Sequence, residues 1–176
     1  DSSEIIGEFS KLNDGSISVF FFFSMQTANR YLLDLLSYCN RGDSKVITRG
    51  RWEIPEAMER RMRGVARPVL SDLRFYFAGG EDCEVYPRLT SNLYLDRPLV
   101  LYGRYPRGME NVVFQVSGKA RENRCDMIFD LDLEDAARSN DKGLRLEWAR
   151  QKLYHLVGQY ARTSGESIRE EIRRTS

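Results

Sequence analysis

The sequence predicts a mixed fold: a parallel α/β segment, then an antiparallel β module, then a long closing helix that packs back across both. Three observations lead there. Residues 17–23, ISVFFFF, are an almost unbroken apolar run, the pattern of a strand covered on both faces as in parallel sheets. A short polar crossing, Gln26-Thr27, leads into a helix whose Leu32, Leu33, Leu35 and Leu36 form a broad apolar face, so that strand, turn and helix make half of a βαβ unit. After Pro68 the apolar spacing changes from three-to-four to strict alternation, the period of half-buried strands.

In chain order, residues 3–12 read as the end of an amphipathic helix with Ile5, Ile6, Phe9 and Leu12 on one side, followed by the turn signal Asn13-Asp14-Gly15. The leucine helix ends at Asn40-Arg41-Gly42, with Gly42 suited to the left-handed conformation past a helix terminus. Residues 45–48 are a second strand, parallel to the first under the right-handed crossover rule. Residues 52–66 form a helix, with Pro55 in its first turn and Ile54, Met58, Met62 and Val65 at helical spacing; Arg67-Pro68 ends it.

Residues 70–77 alternate, Leu73, Phe75 and Phe77 against Asp72, Arg74 and Tyr76. Gly79-Gly80 turns the chain, and 83–86 is a short strand closed by Pro87. Strands at 99–105, 112–117 and 125–131 follow, separated by Pro106-Arg107-Gly108 and Arg121-Glu122-Asn123. Five strands with no intervening helix predict an antiparallel sheet or small sandwich. A polar loop, 135–143, precedes a helix at 144–161 with Trp148, Leu153, Leu156, Val157 and Tyr160 on its apolar face, and a short charged helix at 164–174 closes the chain. The resulting division is 1–67 (α/β), 68–134 (β module) and 135–176 (helical).

Charge balance limits the partners. Lys and Arg number 27 against 26 Asp and Glu, so no strong overall field attracts nucleic acid or an anionic membrane. Cys39, Cys83 and Cys125 are too few and too scattered for a disulfide framework or a zinc site, and Cys39 is expected to be buried. No apolar run approaches the ~20 residues of a membrane helix. The chain opens inside a helix, which reads as a piece of a longer protein.

Single residues point to packing before chemistry. His155 lacks a nucleophile or carboxylate at motif spacing, which makes it a helix-packing or surface histidine. Asp130, Asp132, Glu134 and Asp135 depart from the calcium-loop pattern, having Asp135 where glycine is needed and Asp141 where glutamate is, so they read as outward acids on a strand. Gly79-Gly80 lacks the following helix of a phosphate cradle. Arg162, Arg169, Arg173 and Arg174 alternate with Glu166, Glu170 and Glu171, the pattern of a solvated, self-paired helix and not of a nucleic-acid surface. Tyr86, Tyr94, Tyr102 and Tyr105 concentrate in the β module and read as core. Trp52 and Trp148 are the candidate interaction or helix-anchor residues.

Several segments, taken together, carry a resemblance. FFFFSMQTANRYLLDLLSYCNRG is similar to the penultimate strand and following helix of a von Willebrand factor type A domain, with its Asn-Arg-x-Leu-Leu helix and Arg-Gly turn. ARPVLSDLRFYF, EVYPRLTSNLY and RPLVLYGRYPRG resemble the segment after that domain in bacterial proteins related to inter-alpha-trypsin inhibitor heavy chains. LEWARQKLYHLVGQY resembles the tryptophan-bearing helix that closes it. The resemblance implies the C-terminal half of a Rossmann-like parallel sheet, the β module and the closing helix. It also implies a divalent-cation site in full-length relatives, built from Asp-x-Ser-x-Ser, a threonine and an Asp in the half not present here. Asp1-Ser2-Ser3 does not supply that motif, since Ile5 stands at the third ligand position, and Ser24, Met25 and Gln26 replace the glycines usual after the penultimate strand.

The expected function is therefore non-enzymatic: protein binding, adhesion or scaffolding with no cofactor or metal held by this chain. A protein partner is expected, with no nucleic acid and no membrane segment, and a homodimer through an exposed sheet edge. The alternative is an accessory or regulatory part of a larger enzyme whose catalytic motifs lie outside the chain. The resemblance implies an envelope-associated or secreted protein, as relatives of this arrangement often are.

Overall fold

The structure, a computed structural model, describes residues 2–13, 17–23, 28–47, 53–78, 83–88, 92–135 and 142–176. The turn at Asp14-Gly15, the crossing Gln26-Thr27, Trp52 and the glycines Gly79-Gly80 lie outside the described residues. Helices and strands are mixed, with a small parallel sheet and larger antiparallel pairing.

The first part runs α1 (Ser2–Leu12), β1 (Phe21–Phe23), α2 (Arg30–Cys39), β2 (Ser44–Val46), α3 (Ile54–Val65). β1 and β2 pair in parallel, Phe21 opposite Ser44 and Phe23 opposite Val46, with α2 as the crossover between them. Asn29 starts α2: its side-chain oxygen accepts the Leu32 N–H at 3.1 Å, satisfying a donor that the helix itself cannot. At the other end the left-handed residue is Arg41 (φ 58°) and not Gly42. Gly42 meets a different demand. A Cβ there would lie 1.8 Å from the Val19 carbonyl oxygen, because the helix exit crosses the strand approach. The two segments are hydrogen-bonded at this crossing, Val19 N–H to Asn40 O and Phe21 N–H to Asp43 O, both 3.1 Å.

Leu35 and Leu36 of α2 are buried with Ile6, Tyr38 and Cys39, forming the first core. Three apolar segments bury less than their pattern predicts. Only residues 21–23 of the 17–23 run form a strand, and they are half-buried, because a two-stranded sheet cannot cover both faces. On α1, Ile6 enters the core while Ile5, Phe9 and Leu12 stay exposed, and α3 buries no residue, leaving Met58 and Met62 in solvent.

The second part contains six strands: β3 (Pro68–Phe77), β4 (Glu84–Tyr86), β5 (Asn92–Tyr94), β6 (Tyr102–Arg104), β7 (Asn111–Ala120) and β8 (Asn123–Asp132). They make a four-stranded antiparallel sheet in the order β5-β3-β7-β8 and a separate ribbon of β4 and β6. β5 lies outside the five strands that the sequence predicts. The alternation of β3 is real but interrupted. Ser71 pairs with Lys119 and Arg74 with Ser117, so β3 holds one extra residue, and Asp72 takes φ 53° in that bulge. The bulge lets Leu70 and Leu73, three apart, both enter the second core with Val116. Phe77, Phe114 and Phe129 stack across neighbouring strands with ring centroids 5.4 and 5.0 Å apart.

The closing helices are α4 (Lys142–Thr163) and α5 (Glu166–Thr175). α4 packs on α1 and α2 and also on β4 and β6. Gly158 makes its approach to α2 possible: a Cβ there would lie 2.4 Å from the Cys39 sulfur.

Gly42→Ala forces a methyl into the Val19 backbone, which cannot swing aside as a side chain would. It is expected to cost at least about 2 kcal/mol, the range of an overpacked core site. Urea denaturation measures this, and a loss under about 0.5 kcal/mol shows that the crossing relaxes freely.

Candidate functional site

Of the two anchor residues expected, Trp148 is placed by the structure at the meeting of α4 with the β4–β6 ribbon, and Trp52 lies outside the described residues. Trp148 is half-buried, and its indole N–H donates to the Glu84 carbonyl oxygen at 3.0 Å. The Tyr86 ring meets it edge-on at 6.1 Å, and the Arg104 guanidinium lies over its face at 4.8 Å. One turn further along, Lys152 is 8% exposed and holds two carboxylates, Glu84 of β4 at 2.9 Å and Glu171 of α5 at 2.8 Å. Burial disfavours the Lys152 charge, yet the hydrogen bonds to Glu171 and Glu84 outweigh it and raise the lysine pKa. The same contact holds the Glu171 carboxyl below its ordinary range.

His155, the next turn, packs 5.6 Å from the Tyr86 ring. Burial, reinforced by the positive charges of Arg88 and Arg162, pushes its pKa down to about 4. It is a neutral packing group at pH 7. Tyr86 and Tyr94 are core residues, Tyr102 is half-buried, and Tyr105 is exposed. Cys39 and Cys83 are buried free thiols, and burial raises the Cys39 pKa. Asp130, Asp132, Glu134 and Asp135 are all exposed; Asp130 accepts from Asn111 at 3.0 Å and Asp132 from the Glu134 N–H at 2.8 Å. On α5, Arg169 pairs with Glu166 at 3.3 Å.

On its other flank α4 borders a crevice of about 640 Å³. Its walls are α2, the turn into β2, the segment 97–100 and α4. Six cations line it, Arg30, Arg41, Lys45, Arg61, Arg97 and Arg150, against three carboxylates, Asp34, Asp43 and Glu147. The carboxylates are engaged. Asp34 accepts from the Tyr154 hydroxyl at 3.1 Å and from the Ser44 hydroxyl, with Arg30 at 3.8 Å. Asp43 pairs with Arg97 at 2.6 Å and Lys45 at 3.8 Å, and Glu147 with Arg150 at 2.6 Å. Arg41 reaches Asp72 of the bulge at 3.8 Å. Arg97 also lies over the Phe20 ring at 5.7 Å, and Phe20 meets Tyr94 edge-on at 6.1 Å, so the crevice floor ties the parallel segment to the antiparallel sheet.

The Tyr38 hydroxyl is buried beneath this wall with no hydrogen-bond partner at bonding distance among the described residues, although the Arg88 backbone N–H is near enough to favour its ionised form. Burial dominates and raises the Tyr38 pKa, so it stays neutral. None of the crevice was legible in the sequence, since its six cations come from five separate stretches of chain with no common spacing.

The chain matches no family model and no curated protein. Among the described residues, no helix is long and apolar enough to cross a membrane.

Trp148→Ala removes ring packing against Tyr86 and leaves the Glu84 carbonyl without its donor. The expected loss is about 3 kcal/mol, the low end for a tryptophan truncation because the ring is only half-buried. Urea denaturation giving less than about 1 kcal/mol, the range of a surface change, removes the anchor role.

His155 makes stability depend on pH. Its unfolded pKa is about 6.5 and its folded value about 4, so below pH ~6.5 the denatured chain binds a proton that the folded chain refuses. The stability present above pH ~6.5 then falls as the pH drops toward 4, by up to about 1.4 kcal/mol per pH unit. His155→Gln should flatten that slope in denaturant midpoints taken between pH 7.5 and 4.5, and an unchanged slope assigns the dependence to other groups.

Proposed function

We propose that this chain is a non-enzymatic protein-binding and scaffolding segment: the C-terminal half of a von Willebrand factor A-type sheet, the β module that follows it, and a helix bridging the two. The observation that carries this reading is the uncovered apolar surface of the α/β segment. Ile5, Phe9 and Leu12 on α1, Ile17 before β1, and Met58 and Met62 on α3 are all at least 37% exposed. β1 and β2 each have one neighbour among the described residues, so each presents an unpaired outer edge. Uncovered apolar faces and open strand edges associate with other chains. A β1–α2–β2 crossover of the kind found in type A domains supports the family reading, as does the seating of the tryptophan-bearing helix on the β module. In that reading the partner is a protein and the chain itself holds no cation.

The surface is expected to join two copies of the chain when no other partner is present. Sedimentation velocity should then show a dimer growing with concentration, and replacing Leu12 and Ile17 together by glutamate should weaken it at least about tenfold, or 1.4 kcal/mol. A strict monomer at millimolar concentration, with the 17–23 amides protected from exchange, overturns the proposal.

A further inference from the structure

We propose that the basic crevice between α2, the turn into β2, the segment 97–100 and α4 receives an acidic peptide segment of a partner protein. This rests on the protein-binding reading above but uses a different part of the molecule, with a different chemistry. The whole chain is nearly neutral, with a formal charge of +1, whereas the crevice wall carries six cations and three carboxylates. Positive charge is therefore concentrated at this concavity. Cations facing one another across a concave wall repel, and an entering anion relieves that repulsion where the walls reduce screening by water.

The form of the walls selects the class of anion. Four of the five arginines, Arg30, Arg97, Arg150 and Arg41, are ion-paired with carboxylates. Arg61, contributed by α3, has no ion-pair partner among the described residues. Guanidinium groups match carboxylates in a two-bond geometry, and a carboxylate ligand can share them with the resident acids. Those same resident acids, Asp34, Asp43 and Glu147, interrupt the positive wall and repel a continuous phosphate backbone. Between the charges lie Phe20, Tyr94, Pro98, Leu99 and Tyr102, apolar surface suited to side chains spaced between acidic ones. A volume of about 640 Å³ lies within the ~300–1,000 Å³ of ordinary ligand sites and suits a few residues of extended peptide.

The test uses the full chain and a fluorescein-labelled peptide of alternating glutamate and leucine, followed by anisotropy. Saturable binding that weakens between 50 and 300 mM salt is expected ( sets the screening), and the double variant Arg61→Glu, Arg150→Glu should weaken it at least about tenfold. Both residues are exposed, so the fold should survive, and an unchanged circular dichroism spectrum checks this. Arg124→Glu on the β7–β8 hairpin, away from the crevice, should change affinity less than about twofold. The proposal is overturned by absence of saturable binding, by binding that the double variant leaves unchanged, or by tighter binding of an oligothymidylate of equal charge. The Leu12 and Ile17 glutamate variant separates the two proposals: peptide binding that persists when self-association is lost upholds the crevice alone, and self-association without peptide binding removes only the crevice.

Discussion

Helix α4 is the member on which the first core and the β4–β6 ribbon depend. At its C-terminal half Leu156 is buried and Gly158 lies against the Cys39 sulfur, while Val157 and Ala161 close the first core over α1 and α2. At its N-terminal half Trp148 and Lys152 are bonded to Glu84, a residue of the β4–β6 ribbon. One rod of 22 residues thereby joins the first core to the β4–β6 ribbon, while the core of the four-stranded sheet contains none of its residues. A helix gains its stability from burying a face, not from propensity, and α4 buries one end on helices and the other on strands. This explains why its apolar residues do not form one stripe against one partner.

The electrostatics follow the same division. Lys152 is the buried charge of the helix, and two carboxylates from different elements satisfy it, so the pair of ion contacts orients α5 and β4 on α4 at once. Removing one partner of such a group costs far more than the intact pair contributes, which gives these contacts a directional role. On the opposite flank Asp34 collects Tyr154 from α4 and Ser44 from β2, and Asp43 collects Arg97 from the far side of β5. Carboxylates of the α2–β2 region thus tie together the pieces around the crevice. The surplus of positive charge stays on the crevice rim.

The antiparallel sheet is organised by pairing over long stretches. β7 and β8 are in register over ten residue pairs, from Asn111 opposite Asp132 to Ala120 opposite Asn123, and Arg121 takes φ 56° in the turn between them. The bulge in β3 does two things: it rephases the strand so that Leu70 and Leu73 both point inward, and it turns Asp72 outward, where Lys119 at 3.0 Å and Arg41 meet it. A single extra residue links the sheet to the helix exit at Arg41.

What the sequence determined by itself was local. The leucine face of α2, the parallel strands on either side of it, the alternation of β3 and the long tryptophan-bearing helix all follow from apolar period, because burial of one face enforces that period on the chain. Trp148 was expected as an anchor for the same reason, and the structure places it between α4 and the β4–β6 ribbon. Tertiary structure alone decided which apolar residues find cover: Ile6 and Leu35 do, and Leu12 and Met62 do not, since period marks a face without naming its partner. It also decided that Arg41 carries the left-handed turn while Gly42 yields to Val19, a contact between two segments that no local rule contains. The crevice lies furthest from the sequence. Its charges are assembled from α2, β2, α3, α4 and the 97–100 segment, and charge is felt through space, where distances along the chain have no bearing.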